Sequence, residues 1–210
     1  KANLDAVKKV LDDVHASGSQ IKVYIKGNSS VDGDVKRNME LSNHDSTEEY
    51  LSGLNIKISY GVNRASEINR ISQLINKTNQ FNLTTKRYSE SEVSKIMENN
   101  YVYDFSVKDR FGDMGIVGVV IVINKNIDTF LLSCRALGRN IEDDILNVII
   151  NEFSPSEITS SYIPSKSNEL TKDFYSRNKF MLISNNHNHS KYVLKSRCSD
   201  SKSNYTIVRY

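Results

Sequence analysis

The sequence contains little cysteine, proline or tryptophan: its 210 residues include two Cys, two Pro and no Trp. Two cysteines are too few for a disulfide framework or a Cys-based zinc site. The longest apolar run, residues 115–123, is too short for a membrane-spanning helix, and no signal-peptide pattern opens the chain. A formal net charge of +3 is too small to indicate nucleic-acid binding. Neither a membrane nor a nucleic acid is therefore an expected partner.

The composition is that of a globular protein, with 38% hydrophobic and 25% charged residues. Residues 1–52 combine a helical pattern, a short alternating segment and a polar stretch without periodicity. The polar stretch, residues 29–45, is interpreted as a linker or a partly helical connector. A regular pattern follows, and we expect one domain over residues 53–210. Because the chain opens on helix-like sequence without an initial Met, we expect a piece of a longer cytoplasmic protein.

From residue 54 the periodicity predicts the order β-α-α-β-β-β-α-β-α-β-β. Helices are predicted at residues 65–78, 89–97, 141–153 and 168–177. Strands are predicted at residues 55–60, 101–109, 115–123, 129–137, 157–163, 180–184 and 191–196, and residues 205–209 close the chain. The Ser-Glu-Ser-Glu string at residues 89–92 predicts a capping box for the second helix. This order indicates an α/β (α+β) fold with a single mixed sheet.

The junction between the strand at 129–137 and the helix at 141–153 is the most informative segment for chemistry. Unpaired backbone N–H groups at a helix start favour an anion, and Gly138 lets that anion approach the backbone. Arg135 and Arg139 can add charge-assisted hydrogen bonds to a phosphate. The alternative is an ordinary strand-turn-helix junction with two solvated arginines.

The element order and this junction resemble the GNAT N-acetyltransferase fold, a mostly antiparallel twisted sheet flanked by helices. Its (Gln/Arg)-x-x-Gly-x-(Gly/Ala) loop corresponds here to Arg135, Gly138 and Asn140, and Asn140 departs from the pattern. Asn tolerates unusual backbone angles better than most residues. A second match runs from Asn168 through Tyr175 to Phe180, with Asn178-Lys179 where a Gly is usual.

The resemblance implies that an acyl thioester, on coenzyme A or on phosphopantetheine, binds between splayed, parallel fourth and fifth strands. Backbone bonds from Leu132 and Ser133 would pair with pantetheine, and the amides of the turn would hold the pyrophosphate. Tyr175 would be the general acid for the departing thiolate; packing on the sheet is the alternative for this residue. The implied cofactor-binding residues are Leu132, Ser133, Arg135, Leu137, Gly138, Arg139, Asn140 and Asn168.

The loop at residues 78–85 is rich in uncharged hydrogen-bonding side chains around two apolar residues. Such a set suits a polyol, an amide or a phosphopantetheine arm, whereas a self-capping loop is the alternative. The predicted substrate-binding residues are Thr78, Asn79, Gln80, Phe81, Asn82 and Thr84.

Three blocks, residues 73–88, 109–119 and 130–139, are very similar to FkbH-like proteins. The string Thr-Asn-Gln-Phe-Asn in the first block is the most specific of these matches. That family joins an N-terminal HAD phosphatase-like domain to a C-terminal GNAT-like domain, and some members supply glyceryl units to an acyl carrier protein. The resemblance implies that residues 1–52 are the tail of the HAD-like domain and its connector.

Other reactive side chains give weaker signals. Cys134 lies beside the predicted acyl site and can in principle carry an acyl thioester, although inert packing is the more common role of such a cysteine. His187 and His189 stand two residues apart in a turn-like stretch, which is a weak metal pattern. No metal site is predicted.

The sequence therefore predicts an acyltransferase-like domain that binds an acyl thioester and transfers or positions its acyl group. The expected partner is an acyl carrier protein or a small-molecule acyl acceptor. The alternative is a non-catalytic docking module that presents a carrier protein to an upstream HAD-like domain.

Overall fold

The computed structural model describes residues 51–186, 188–195 and 205–210. The second compact unit of the chain comprises residues 54–210. The patterns noted in residues 1–52 are a helical one at 3–14, an alternating one at 21–25 and the polar connector, and these three lie outside the described residues. The predicted domain assignment stays a prediction. The described helices are α1 (Ile68–Lys77), α2 (Glu90–Asn99), α3 (Ile141–Phe153) and α4 (Phe174–Arg177). The described strands are β1 (Lys57–Val62), β2 (Phe81–Asn82), β3 (Tyr101–Asp109), β4 (Gly112–Ile123), β5 (Asn126–Leu132), β6 (Ile158–Tyr162), β7 (Met181–Asn186), β8 (His189–Leu194) and β9 (Thr206–Arg209).

The predicted capping box at the start of α2 is confirmed. The Ser89 hydroxyl accepts a hydrogen bond from the Glu92 amide at 3.4 Å, and the Glu92 carboxylate accepts one from the Ser89 amide at 2.8 Å. These reciprocal bonds satisfy two of the amides that a helix start leaves unpaired. They fix where the helix begins, one residue after the Ser.

The nine described strands form one sheet in the order β7-β8-β6-β5-β4-β3-β1-β9, with β2 paired to β5. The β5–β6 and β1–β9 pairs are parallel, and the others are antiparallel. This arrangement confirms the predicted fold class, a mixed and mostly antiparallel sheet flanked by helices.

Helices cover both faces of the sheet. On one face, α1 and α2 bury Ile71, Ile75 and Val93 against Val119 and Leu131 of the sheet. Helix α3 lies on the other face, close to the backbone of β4. A Cβ atom added at Gly118 of β4 would lie 3.4 Å from Ile145 Cδ1 of α3 and 3.0 Å from Leu132 Cδ2. The absence of a side chain at Gly118 therefore lets α3 pack directly over the centre of the sheet.

Strands β5 and β6 are parallel, as predicted, but the open cleft expected between them is occupied. Only two residue pairs join the strands, Asn126 with Thr159 and Ile127 with Ser160. Beyond these pairs, residues 81–83 lie between the two strands and pair with β5. We call residues 81–83 the β2 segment. The prediction of an open cleft is therefore wrong for this structure.

The largest differences between predicted and observed bounds occur at two of the predicted elements. The strand predicted at 129–137 ends at Leu132, and a single 3-10 turn, Cys134–Ala136, leads toward α3. The helix predicted at 168–177 is two short pieces, the 3-10 turn Glu169–Thr171 and α4. The Thr171 hydroxyl and amide both bond the Asn168 carbonyl, at 2.7 and 2.9 Å. In an α-helix, the Asn168 carbonyl would accept a hydrogen bond from the amide four residues later. The bond from the Thr171 hydroxyl to this carbonyl competes with that helical bond.

Candidate functional site

The β2 segment occupies the edge of β5 that the sequence assigned to pantetheine. Phe81 pairs with Leu132, the Leu83 amide donates to the Phe130 carbonyl at 3.0 Å, and the Leu83 carbonyl accepts from the Ile163 amide at 2.8 Å. Leu132 is fully buried, and the half-buried Ser133 donates its amide to the Val117 carbonyl at 2.7 Å on the β4 side. Backbone pairing of a ligand with Leu132 therefore requires this segment to leave.

An aromatic cluster holds the β2 segment in place. The Phe81 ring lies 6.1 Å from that of Phe130 and 5.5 Å from that of Phe174, measured between centroids, and the second contact is edge-to-face. Phe130 and Phe174 are themselves 5.0 Å apart. Aromatic pairs in this range stabilise a core beyond their buried area.

Two buried polar side chains of the predicted substrate loop, those of Asn82 and Thr84, bond the loop's own backbone or a neighbouring strand. The buried Asn82 amide group donates to the carbonyl of the buried Thr78 at 3.2 Å and accepts from the Thr85 amide at 2.9 Å. The buried Thr84 hydroxyl donates to the Asp128 carbonyl at 2.9 Å. For these residues the geometry matches the self-capping alternative, and a role in binding substrate stays a prediction.

Two members of the loop are more accessible. Asn79 is exposed, and its side-chain oxygen accepts from the Arg87 guanidinium. Gln80 is half-buried, and the Cys134 thiol donates to its side-chain oxygen at 3.5 Å. Cys134 is exposed on a turn rather than buried in a central strand. The packing alternative considered for this cysteine is therefore wrong, and its role as a nucleophile stays a prediction.

Asn168, predicted to bind cofactor, is completely buried, and its side chain is fully engaged within the protein. Its amide nitrogen donates to the Asn82 carbonyl at 2.8 Å and to the Ile163 carbonyl at 2.9 Å, and its oxygen accepts from the Ser165 amide at 2.8 Å. The side chain therefore joins the β2 segment to the residues that follow β6. It has no donor left for a ligand.

The turn before α3 has part of the backbone geometry that is expected of an anion-binding loop. Gly138 is exposed with φ +77°, and Asn140 is exposed in the left-handed region with φ 54° and ψ 31°. The expectation that Asn140 would tolerate unusual backbone angles is confirmed. Its side chain does not cap α3, and the preceding Leu137 is half-buried.

Arg139 does not present its guanidinium at this turn, contrary to the prediction. The side chain is buried, with Nε and Nη2 donating to Asp109 Oδ2 at 3.1 and 2.9 Å and Nη1 donating to the Arg135 carbonyl at 2.8 Å. The Tyr205 hydroxyl bonds the Arg139 carbonyl at 2.7 Å. Arg139 therefore joins the turn to the end of β3.

The start of α3 carries carboxylates of its own. Glu142, Asp143 and Asp144 lie in its first turn, and Arg177 bonds both Glu142 and Asp143, at 3.2 and 3.1 Å. Acidic residues in the first turn compensate the positive end of the helix dipole. They also repel a pyrophosphate, which weakens the case for anion binding at this helix start.

Tyr175, predicted as a general acid, is 1% exposed, and its hydroxyl has no hydrogen-bond partner among the described residues. Ser160 on β6 is fully buried and also has an unpartnered hydroxyl within that part of the chain. The Tyr175 ring packs 5.2 Å from Phe180 and 5.5 Å from Tyr192. Burial raises the pKa of Tyr175 well above its ordinary value. The phenol is therefore protonated but enclosed.

A pocket that the sequence did not reveal lies beside the N-terminal half of α1, with a volume of about 590 Å³. We call it the arginine pocket. Its charged lining residues are Arg64, Glu67, Arg70 and Arg135. Arg64 and Glu67 precede α1, Arg70 lies in α1, and Arg135 comes from the turn after β5. No sequence motif connects residues this far apart along the chain.

Two remaining classes of site are weakly represented. Among the described residues, no group of three or more His, Cys, Asp and Glu side chains is placed to hold a metal ion. His189 lies half-buried at the start of β8, and His187 lies outside the described residues. A search of the described helices finds none long and apolar enough to cross a membrane.

Comparison with solved structures finds matches of very low sequence identity. A domain from Methanocaldococcus jannaschii DSM 2661 matches with a TM-score of 0.51 and 12% identity, over 66% of this chain and 98% of that one. An acetyltransferase from Thermus thermophilus matches with a TM-score of 0.49 and 10% identity, over 67% and 98% of the two chains. A GNAT-family acetyltransferase from Listeria monocytogenes 4b F2365 matches with a TM-score of 0.46 and 13% identity, over 62% and 90%. No protein-family model and no curated protein matches the sequence.

Proposed function

We propose that residues 54–210 form an acyltransferase-like module that docks an acyl carrier protein without taking its pantetheine arm between β5 and β6 and without transferring the acyl group. The closed gap between β5 and β6 is the observation that carries this proposal. A pantetheine arm bound along β5 would compete with the backbone bonds of Leu83 and with the Phe81 ring.

The enclosed Tyr175 supports the same proposal. A general acid must come within hydrogen-bond reach of the atom that it protonates. The Tyr175 side chain is buried, and its ring packs against the rings of Phe180 and Tyr192. The acidic first turn of α3 adds to this, because it opposes the pyrophosphate of free coenzyme A. The resemblance to FkbH-like proteins supplies the partner: a carrier protein that serves an upstream HAD-like domain.

Titration calorimetry of the full chain with acetyl-carrier protein and with acetyl-coenzyme A tests this function. We expect the carrier protein to bind and the coenzyme to bind much more weakly, with no acyl transfer from either one. Tight binding of acetyl-coenzyme A, or turnover of its thioester, would contradict the docking function.

A Tyr175→Phe variant sharpens the test, because it removes only the enclosed hydroxyl. The docking function predicts unchanged carrier binding and thermal stability that is equal or higher, since an unsatisfied buried polar group costs about 1–3 kcal/mol. A large loss of acyl turnover with stability unchanged would instead identify the phenol as a catalytic group.

The second candidate is an acyltransferase in which the β2 segment moves away before the thioester binds. The unpartnered hydroxyls of Tyr175 and Ser160 favour it, because buried polar groups are normally satisfied and a reacting thioester offers partners. Hydrogen exchange separates the candidates: acetyl-coenzyme A accelerates exchange of the Leu83 amide only if this segment is displaced.

A further inference from the structure

The arginine pocket brings together three guanidinium groups that differ in their partners. Arg64 is neutralised: its Nε donates to the fully buried Asp104 at 3.0 Å, a second nitrogen bonds the same carboxylate, and Glu67 lies 3.9 Å away. The Tyr210 ring stacks on its guanidinium at 4.5 Å. Asp104 balances the charge of Arg64, so Glu67 leaves this wall of the pocket with one net negative charge.

Arg70 is held in the pocket by neutral groups. Its guanidinium donates to the Gln73 side-chain oxygen and, at 3.3 Å, to the Ile116 carbonyl. No carboxylate pairs with it in the part of the chain that the structure describes. Burial, and after it the charge of Arg135, lowers the pKa of Arg70 below its ordinary value, yet arginine stays charged in proteins. Among the described residues, this cation therefore has no carboxylate paired with it.

Arg135 lines the same pocket from the turn after β5, and its side chain is exposed. Within the described residues it has no acidic partner either, and its charge repels that of Arg70. Ser106 also lines the pocket and is half-buried, with a hydroxyl that bonds no described residue. Within the described residues, the pocket thus offers two guanidinium groups that pair with no carboxylate and the Ser106 hydroxyl, which forms no hydrogen bond there.

We infer that the arginine pocket binds the phosphate group of a ligand between Arg70 and Arg135, with Ser106 as an additional donor. The charged groups around the pocket, with Glu67 and Asp104 included, leave a net charge of +1, which attracts an anion. The planar donor sets of the two guanidinium groups suit the oxygens of a phosphate. Arg135 is therefore an anion ligand, as the sequence predicts, but with Arg70 rather than Arg139.

This inference goes beyond the proposed function, because phosphate binding can be measured whether or not a carrier protein docks. The phosphate can belong to a phosphopantetheine arm or to a separate phosphorylated small molecule. Comparing 4′-phosphopantetheine with pantetheine and inorganic phosphate distinguishes these sources. An arm-borne phosphate makes phosphopantetheine the tightest ligand, and a separate substrate leaves it no tighter than inorganic phosphate.

The test uses the full chain with inorganic phosphate as the probe, against chloride at equal ionic strength. Phosphate should raise the midpoint of thermal unfolding by mass action and shift the arginine Nε–H resonances of Arg70 and Arg135. In Arg70→Gln and in Arg135→Gln, the phosphate affinity should fall at least about tenfold, because each variant loses a charge-assisted bond. Lys95→Gln removes an exposed positive charge on α2 and should leave the affinity within about twofold.

Arg135→Gln should also be at least as stable as the wild type when phosphate is absent, because it removes the repulsion between the two arginines and no side-chain hydrogen bond to a described residue. A merely structural role for Arg135 predicts the reverse, a lower midpoint in both conditions. Phosphate binding that is undetectable in the wild type, or that falls equally in Lys95→Gln, would overturn the inference.

Discussion

At the scale of single residues, the two arginines of the strand-turn-helix junction have different tasks. Arg135 is exposed and lines the arginine pocket, whereas Arg139 is buried against Asp109. The sequence could not distinguish them, because both stand in the same short motif and the partner of Arg139 lies thirty positions earlier in the chain. Burial and pairing, which depend on the tertiary fold, decide which of the two remains available to a ligand.

Replacing Arg139 should therefore destabilise the protein. Arg139→Gln leaves the Asp109 carboxylate buried without its cation, and breaking one side of a buried pair costs about 3–5 kcal/mol. Chemical denaturation of the wild type and the variant measures this free-energy difference. The matched control is Arg177→Gln, whose side chain is 47% exposed and pairs with Glu142 and Asp143; surface pairs of this kind contribute about 0–1 kcal/mol. Equal losses in the two variants would contradict the structural role of Arg139.

At the scale of elements, the β2 segment is the feature that changes the functional interpretation. It takes the place of a ligand between the splayed strands, and Asn168 joins it to the end of β6. In Asn168→Asp, the new carboxylate faces the Asn82 and Ile163 carbonyls that the amide nitrogen now serves. Amide hydrogen exchange at Leu83 should accelerate about 5- to 150-fold, which corresponds to a loss of about 1–3 kcal/mol of local stability.

The control for that experiment is Asn99→Asp, at the exposed end of α2, where the same chemical change touches no bond to the β2 segment. Exchange at Leu83 should stay close to the wild-type rate. If both variants, or neither of them, accelerate exchange at Leu83, the Asn168 side chain does not hold this segment in place.

Elements with strong local periodicity could be predicted from the sequence, and those that depend on distant partners could not. The bounds of β3 and α3 were predicted as the structure has them, because alternation and a buried helical stripe are local signals. The β2 segment has two paired residues and owes its conformation to β5. Its one local signal was the spacing of Phe81 and Leu83, two apolar residues on alternate positions of a polar loop. The arginine pocket had no such signal.

At the scale of the whole molecule, the described strands of the sheet all lie within the second compact unit, residues 54–210. Leu54, Ile56 and Ile58, in and just before its first strand, are 1%, 4% and 0% exposed. The last strand, β9, returns to pair in parallel with β1. The first and last described strands of this unit are therefore neighbours, which is the arrangement expected of a domain that folds independently.

Residues 54–210 expressed alone should unfold in one cooperative transition. Their length corresponds to an unfolding enthalpy of about 110 kcal/mol near 60 °C, and the calorimetric and van't Hoff values should agree. Scanning calorimetry measures both. The matched control ends at residue 204 and lacks β9; it leaves the edge of β1 unpaired and should show a lower midpoint and a tendency to associate. If the 54–210 fragment aggregates or melts without cooperativity, the domain requires residues before 54, and the docking surface must be sought on the longer chain.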